Sequence, residues 1–407
     1  MICVKGLGYI GLPTALMLAA HGQEVTGIDR NEALVDSLQR GKLTFEEKGL
    51  DELFQKALAS GIKFQTKDVA ADVYIVAVPT PYDHHTKKTD ARYVTAAVGE
   101  VLDICPKGAV IVVESTISPS TIEKCVRPVV REKGFVMGED IHLAHAPERI
   151  IPGNMLYELI YNSRTIGADS VEIAEKVRDI YASFCQGEIT LTDIQTAEMT
   201  KVVENTFRDI NIAFANELAK ICRESNMDVY EVIRIANKHP RVNILNPGPG
   251  VGGHCISVDP WFLVGDFPDQ VDIIRSARRV NDGMPEFVLK RSYQIMKENG
   301  LTDIRKVGIY GLTYKENVDD VRESPTLQML RSMEEHMAGD LIRVYDPYVK
   351  RDIVPNQCHS LEEFLGQVDM VIVMVGHEEI RSNMDRLKDK IVFDTRNICT
   401  LDGVYRL

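Results

Sequence analysis

The feature that most restricts the fold stands at the N-terminus. A short apolar run, Ile2–Lys5, leads into Gly6-Leu7-Gly8-Tyr9-Ile10-Gly11, and an apolar-rich stretch from Leu12 to His21 follows, with Gly22 just beyond it. Val25–Ile28 is apolar again and ends at Asp29. Strand, glycine turn, helix and strand in this order open a dinucleotide-binding fold. Gly6 permits the tight turn, Gly8 lets the main chain approach a pyrophosphate, and Gly11 lets the helix pack on the strand. Tyr9 and Ile10 complete the turn, and the N–H groups and positive dipole end of the helix then face the phosphates. Asp29 lies 18 residues past Gly11 and is placed to bond both ribose hydroxyls, which favours NAD over NADP. Arg30 beside it is of a type that accepts a 2′-phosphate instead. Lys5 puts a charge at the end of an apolar strand, from which a lysine can snorkel to the surface.

Apolar runs at Val73–Val78, Val110–Val113 and Ile141–Ala144 continue the pattern, with helical stretches between them. Such alternation predicts a parallel sheet with helices on both faces. A second series runs through Lys306–Tyr310 with Gly311, Leu341–Tyr345 ending at Asp346, Val368–Val375 and Lys390–Phe393, a weak internal repeat of the first. Between them, Ile194–Ser225 has no Gly or Pro. That fits one helix of ~48 Å, with Phe207, Ile210, Phe214, Leu218 and Ile221 on one stripe. It is longer than one core needs and reads as a spacer and dimer contact. The expected fold is α/β, two Rossmann-like doubly wound parallel-sheet domains joined by a long central helix. The expected segments are 1–193 for dinucleotide binding, 194–300 for the helical part with the cysteine loop described below, and 301–407 for the second α/β domain. A cleft between such domains is where ligands usually sit.

Charge and composition exclude other classes. The net charge of −13 argues against an extended basic nucleic-acid surface. No apolar run approaches the ~18 residues of a membrane helix. The start Met-Ile-Cys-Val-Lys-Gly is not that of a signal peptide, so a cytoplasmic protein is expected. The eight cysteines are scattered without a Cys-x-x-Cys pair, which argues against a disulfide framework or a structural zinc, and no metal is expected.

One cysteine is special through its neighbours. Pro249-Gly250-Val251-Gly252-Gly253-His254-Cys255-Ile256-Ser257-Val258-Asp259-Pro260 places a thiol after a glycine loop, with Asp259 four residues on. If Cys255 opens a helix, the dipole favours its thiolate, and Asp259 lies one turn further on the same face. A thiolate attacks an aldehyde to give a thiohemiacetal, and hydride loss then makes a thioester. A buried inert cysteine is the competing reading. On the long helix Glu198, Lys201, Asn205 and Arg208 form a polar stripe nearly opposite the apolar one. Spacing alone makes it a solvated face; facing a cleft instead, Lys201 would stabilise an oxyanion or act as a base. Val78-Pro79-Thr80-Pro81 and Glu114-Ser115-Thr116 each follow a strand, which puts Thr80 and Thr116 at the sheet edge where ligands bind. Lys315, Arg322 and Arg396 follow strands of the second domain, and His239 and Arg241 precede the glycine loop. Cations there suit a diphosphate, although surface charge explains each as well.

Taken together, Gly6–Gly11, Val78–Pro81, Glu114–Thr116, Pro147-Glu148-Arg149, Lys201 with Asn205, Gly250–Asp259, Gly311–Lys315 and Arg322-Glu323-Ser324 resemble the UDP-glucose/GDP-mannose dehydrogenase family over nearly the whole chain. The resemblance implies a three-part homodimer built on the long helix, and a four-electron oxidation of a sugar C6 alcohol to a carboxylate with two NAD. By the same resemblance Cys255 is the thioester nucleophile, Lys201 the alkoxide stabiliser or base, and Asn205 its positioning partner. Asp259 helps activate water, with Glu148 a second candidate. Thr116 and Arg322 resemble NAD contacts, Lys315 and Arg396 substrate contacts. Glu148-Arg149-Ile150-Ile151-Pro152-Gly153 looks like the N-acetylhexosamine branch. His239–Ile244 and Pro247–Cys255, Gly252 included, point to UDP-N-acetyl-D-mannosamine ahead of UDP-N-acetylglucosamine. The product class implies a role in making cell-surface polysaccharide precursors. Two rivals remain: a two-electron 3-hydroxyacid dehydrogenase, which needs no cysteine and no second domain, and a catalytically silent NAD-binding regulator.

Overall fold

The computed structural model describes residues 1–336 and 342–407. The chain forms two compact units, Met1–Glu204 with Phe262–Pro268, and Asn205–Trp261 with Asp269–Leu407.

The first unit is built on an eight-stranded sheet. Its strands are β1 (Ile2–Lys5), β2 (Val25–Ile28), β3 (Lys63–Gln65), β4 (Val73–Val76), β5 (Ala109–Val113), β6 (Ile141–His145), β7 (Arg164–Ala168) and β8 (Ile189–Thr192). The order is β3-β2-β1-β4-β5-β6-β7-β8. The central strands β1, β2, β4 and β5 are buried at every residue, as expected of strands covered on both faces. The first helix, Gly11–Ala20, is buried along its length and packs into the core on one face, while Val94, Val98 and Val101 fill the other.

The expectation of a wholly parallel sheet needs one correction, because β7 runs antiparallel to β6. The connection between them carries only the seven-residue helix Met155–Tyr161. The chain re-enters the sheet from the end at which it left. Strands β3, β7 and β8 escaped the sequence pattern because they are short or lack a continuous apolar run.

The second unit holds β9 (Val307–Tyr310), β10 (Arg343–Tyr345), β11 (Met370–Val373), β12 (Ile391–Asp394) and β13 (Tyr405–Arg406), in the order β10-β9-β11-β12-β13, all parallel. Of the strand expected over 341–345, Leu341 lies outside the described residues. The internal repeat is visible atom by atom. Gly6 has φ 96° and its N–H donates to the Ile28 carbonyl, while Gly311 has φ 101° and its N–H donates to that of Tyr345, both at 2.8 Å. Asp29 accepts from the Leu7 N–H at 2.8 Å, and Asp346 from the Leu312 N–H at 2.7 Å. The copies then diverge. Asp346 is buried, accepting also from the Thr313 N–H at 3.0 Å and lying 3.1 Å from the His377 Nε2. Side chains of the protein itself thus occupy the place where the first copy keeps a reachable carboxylate.

The long helix runs Ile194–Glu224, 31 residues, and most of the stripe that spacing makes a solvated face is buried. Glu198, Lys201 and Asn205 are buried, with Arg208 exposed, whereas Val203, Phe207, Phe214 and Ile221 are exposed. Lys5 also departs from expectation. It is 5% exposed and does not reach the surface, because Asp68 at 2.5 Å and Glu100 at 2.7 Å hold its ammonium group inside. No described helix is long and apolar enough to cross a membrane.

Candidate functional site

In the first unit the glycine turn is built around what a side chain would displace. A Cβ on Gly6 would lie 2.3 Å from the Ala77 carbonyl oxygen, and one on Gly11 only 1.9 Å from that of Gly6. A Cβ on Gly8 would meet nothing within 4 Å. The first and third glycines are required by the protein itself; the second faces open space, which fits close approach by a phosphate group. Tyr9 is exposed and stacks on Phe45 with ring centroids 4.4 Å apart, and Ile10 is half-buried. Asp29 is half-buried, its second oxygen accepting from the Asn31 N–H at 2.9 Å. Arg30 is turned onto Glu100, which it shares with Lys5. That pairing gives the guanidinium an acidic partner within the protein, and the residues present suit NAD.

The loops after β4 and β5 meet. Thr80 donates through Oγ1 to the Thr116 carbonyl at 2.6 Å, and Ser115 through Oγ to that of Val78 at 2.7 Å. Behind Thr116 the buried Glu198 of the long helix accepts from the N–H groups of Ser120 at 2.6 Å and Ile122 at 2.9 Å. Burial pushes its carboxyl up to about 7 against the pull of these N–H groups. Glu148, beyond β6, is buried and ion-paired with Arg164 of β7. Arg149 forks onto Glu204 at 2.7 and 2.6 Å and also donates to Thr165 Oγ1 and the Ser163 carbonyl. It braces the strands around Glu148. His145, wholly buried, bonds through Nδ1 to the Val113 carbonyl at 2.8 Å, and burial pulls it down to about 4.

In the second unit the cysteine loop differs from expectation in one respect. Cys255 does not open a helix: the helix is Asp259–Asp266, and Cys255 sits in the turn before it. The turn is closed by the Cys255 carbonyl, which accepts from the N–H groups of Val258 at 3.0 Å and Asp259 at 2.8 Å. Pro260 at the second helical position lacks an N–H and suits a helix start there, so helical geometry begins one turn later than the cysteine. Cys255 is exposed, while Asp259 is 2% exposed and accepts from the Asn205 side-chain amide at 2.7 Å. The glycines before the thiol fit against the chain. A Cβ on Gly252 would lie 2.6 Å from both the Glu323 carbonyl oxygen and Tyr314 Cβ. The Gly253 N–H donates to the Arg322 carbonyl at 2.9 Å. The cysteine turn and the 314–323 segment are therefore one packed feature.

The remaining cations are less concentrated. Arg322 lies within this feature and forks onto Asp320 at 2.6 Å. Lys315 is half-buried in the same segment, with Thr313 Oγ1 donating to its carbonyl at 2.9 Å. The Arg396 guanidinium lies over Gly248, where a Cβ would be 2.9 Å away. His239 and Arg241 are exposed, the Arg241 N–H donating to His239 Nδ1 at 3.3 Å. Sequence reasoning missed Arg164, Arg278 and His145. Arg278 is 1% exposed and bonds Asp209 of the long helix at 2.6 Å. Only a pattern of charge inside an apolar segment could have flagged them.

Comparison with known proteins agrees over the full length. Residues 1–185 match the UDP-glucose/GDP-mannose dehydrogenase family NAD binding domain, 195–283 its central domain, and 308–401 its UDP binding domain. The UDP-N-acetyl-D-mannosamine dehydrogenase of Methanococcus maripaludis strain C7 is 45% identical, over 98% of this chain and 92% of that protein. The NDP-N-acetyl-D-galactosaminuronic acid dehydrogenase of Ralstonia nicotianae is 40% identical, over 98% and 96%. The structure of the UDP-N-acetyl-mannosamine dehydrogenase Cap5O from S. aureus matches with a TM-score of 0.89 at 42% identity, covering 100% of this chain and 98% of that one. With a glycine turn fit for a dinucleotide and a cysteine turn packed on a second α/β fold, the chain belongs to the UDP-glucose/GDP-mannose dehydrogenase family of NAD-dependent oxidoreductases.

Proposed function

We propose that the protein oxidises the C6 hydroxyl of UDP-N-acetyl-D-mannosamine to the uronate through a covalent thioester at Cys255. One observation carries the reading: an exposed thiol sits in a turn whose carbonyl accepts from the N–H of Asp259, a buried carboxylate held by Asn205. An inert structural cysteine would be buried. NAD bound at Gly6–Gly11 supplies the hydride acceptor for each of two oxidations.

Lys201 stabilises the alkoxide or takes the hydroxyl proton as the first hydride leaves C6. The Cys255 sulfur then adds to the aldehyde carbon, forming a thiohemiacetal. Loss of the second hydride, for which a second NAD would be the acceptor, together with the hydroxyl proton leaves a thioester. Water attacks the thioester carbon, the C–S bond breaks, and the carboxylate and thiolate separate. Asp259 and Glu148 are the candidates to take the water's proton. Thr80, Thr116 and Arg322 are assigned to NAD, and Arg149, His239, Arg241, Gly252, Lys315 and Arg396 to the nucleotide sugar.

The N-acetyl-D-mannosamine assignment is supported by the names of the M. maripaludis and S. aureus relatives. The three-part division at 193 and 300 is supported by the limits of the family domains. We assign the protein to the cytoplasm and to precursors of cell-surface polysaccharide, and read the exposed apolar stripe of the long helix as a homodimer contact. The test is absorbance at 340 nm with a panel of UDP-sugars. Two NADH per UDP-N-acetyl-D-mannosamine are expected. One NADH with free aldehyde would reject the thioester, and preference for the gluco or galacto sugar would reject the epimer.

A further inference from the structure

The proposed mechanism uses Glu148 but not the two buried charged groups beside it. Arg164 is wholly enclosed, its guanidinium stacked 4.2 Å from the centre of the Tyr181 ring. One nitrogen, Nη2, is ion-paired with Glu148, while Nη1 lies 3.5 Å from Glu114 Oε1. Two carboxylates thus face a single guanidinium in the interior. Glu114 is 1% exposed. Its Oε1 accepts from the Tyr181 hydroxyl at 3.0 Å and from Thr14 Oγ1 at 3.3 Å. Its Oε2 is buried and has no hydrogen-bond partner among the described residues.

We infer that Glu114 is a positioning residue for Glu148: protonated on Oε2, it leaves Arg164 committed to the Glu148 carboxylate. The inference rests on the reading of Glu148 as a group of the active site. With Glu114 protonated, the buried charge sums to zero, one arginine against one carboxylate. When Oε2 loses its proton to solvent, two anions compete for Arg164 and an uncompensated charge is buried, which is costly. Sharing of the guanidinium then loosens its hold on Glu148 Oε2. Among the described residues, the other Glu148 oxygen accepts only from the Arg149 N–H, at 2.8 Å. The charged and titratable groups facing Glu114 are Arg164, Glu148 and Tyr181. Burial pushes the Glu114 carboxyl up to about 7, with Arg164 opposing and Glu148 adding to the rise. The exchange therefore falls near neutral pH.

The experiment pairs infrared difference spectroscopy across a pH change with steady-state kinetics on the full-length enzyme with NAD and UDP-N-acetyl-D-mannosamine. Wild type should show a protonated-carboxyl band that disappears as pH rises through about 7, and kcat/KM for the sugar should fall several-fold over the same range. In Glu114→Gln, whose amide mimics the protonated acid, the band should shrink to the contribution of Glu198, the other carboxyl pushed up to about 7, and that fall should flatten. Tyr181→Phe removes a donor that favours the carboxylate, so both the band and the kinetic fall should move to higher pH. A Glu114→Gln protein that keeps the full wild-type band and pH profile overturns the inference. So does a Tyr181→Phe protein with an unmoved titration, should the glutamine variant fail to fold. Absence of NADH formation from every UDP-sugar would instead overturn the function, and the infrared band would still report on Glu114.

Discussion

At the scale of single residues, the protein separates its cysteines by surroundings. Burial raises the Cys3 and Cys399 thiols to about 12, while Cys255 is exposed. A limiting amount of iodoacetamide should therefore alkylate Cys255 first, shown by peptide mass spectrometry, with activity lost in step. Cys255→Ser should lower turnover on the order of 10³-fold, read as NADH formation; retained turnover would restore the two-electron reading. Asn205 matters through the carboxylate it holds. Asn205→Ala leaves Asp259 without that donor in a buried place, at a cost of about 1–3 kcal/mol in denaturant unfolding. Lys5 gives a matching case: Lys5→Met leaves Asp68 and Glu100 without their shared cation, and a loss of about 2 kcal/mol is expected by the same measurement.

At the scale of elements, the long helix buries polar groups among Ala197, Val202, Ala213, Ala215 and Ala219 and leaves Phe207, Phe214 and Ile221 exposed. Glu198 caps the turn after Thr116, Asn205 holds Asp259, and Asn216 accepts from the Gly248 N–H at 2.9 Å. These inward groups are bonded to main chain or to each other, so their burial is compensated. Nothing among the described residues covers Phe207, Phe214 and Ile221, the stripe on which the proposed homodimer would place a second copy of the helix. If the proposed homodimer forms on this stripe, Phe207→Glu with Phe214→Glu should yield a monomer in sedimentation velocity, since burying two charges opposes association by several kcal/mol. An unchanged sedimentation coefficient would move the interface elsewhere.

At the scale of the whole molecule, buried titratable groups give stability a pH dependence of two opposite signs. His145 is pulled from 6.5 to about 4, so the folded state favours its neutral form. The stability this contributes is present above pH 6.5 and is lost as pH falls toward 4, about 3 kcal/mol in all. Glu198 is pushed from 4.5 to about 7, so the folded state favours its acid form and stability is lost as pH rises from 4.5 to 7. The two slopes oppose each other between pH 4.5 and 6.5. Glu198→Gln should remove one of the carboxyls that oppose the histidine, Glu114 being another, so chemical-denaturation stability should rise more steeply with pH than in wild type over that interval. A profile parallel to wild type would show that Glu198 is ionised in the folded protein.

Local order in the sequence settled the strand–glycine–helix–strand opening, the second α/β series and the long helix, because backbone sterics and burial periodicity act over a few residues. It also singled out Cys255 and its glycine turn. Tertiary structure alone decided which face of the long helix is buried, since a polar stripe goes inward only when distant main chain supplies partners. It also decided the antiparallel β7, the inward pairing of Lys5, and the start of the helix at Asp259 rather than Cys255. The arginine shared by Glu114 and Glu148 belongs to the same class: its three charges lie on separate segments that only the folded sheet brings within reach, and no spacing along the chain records that distance.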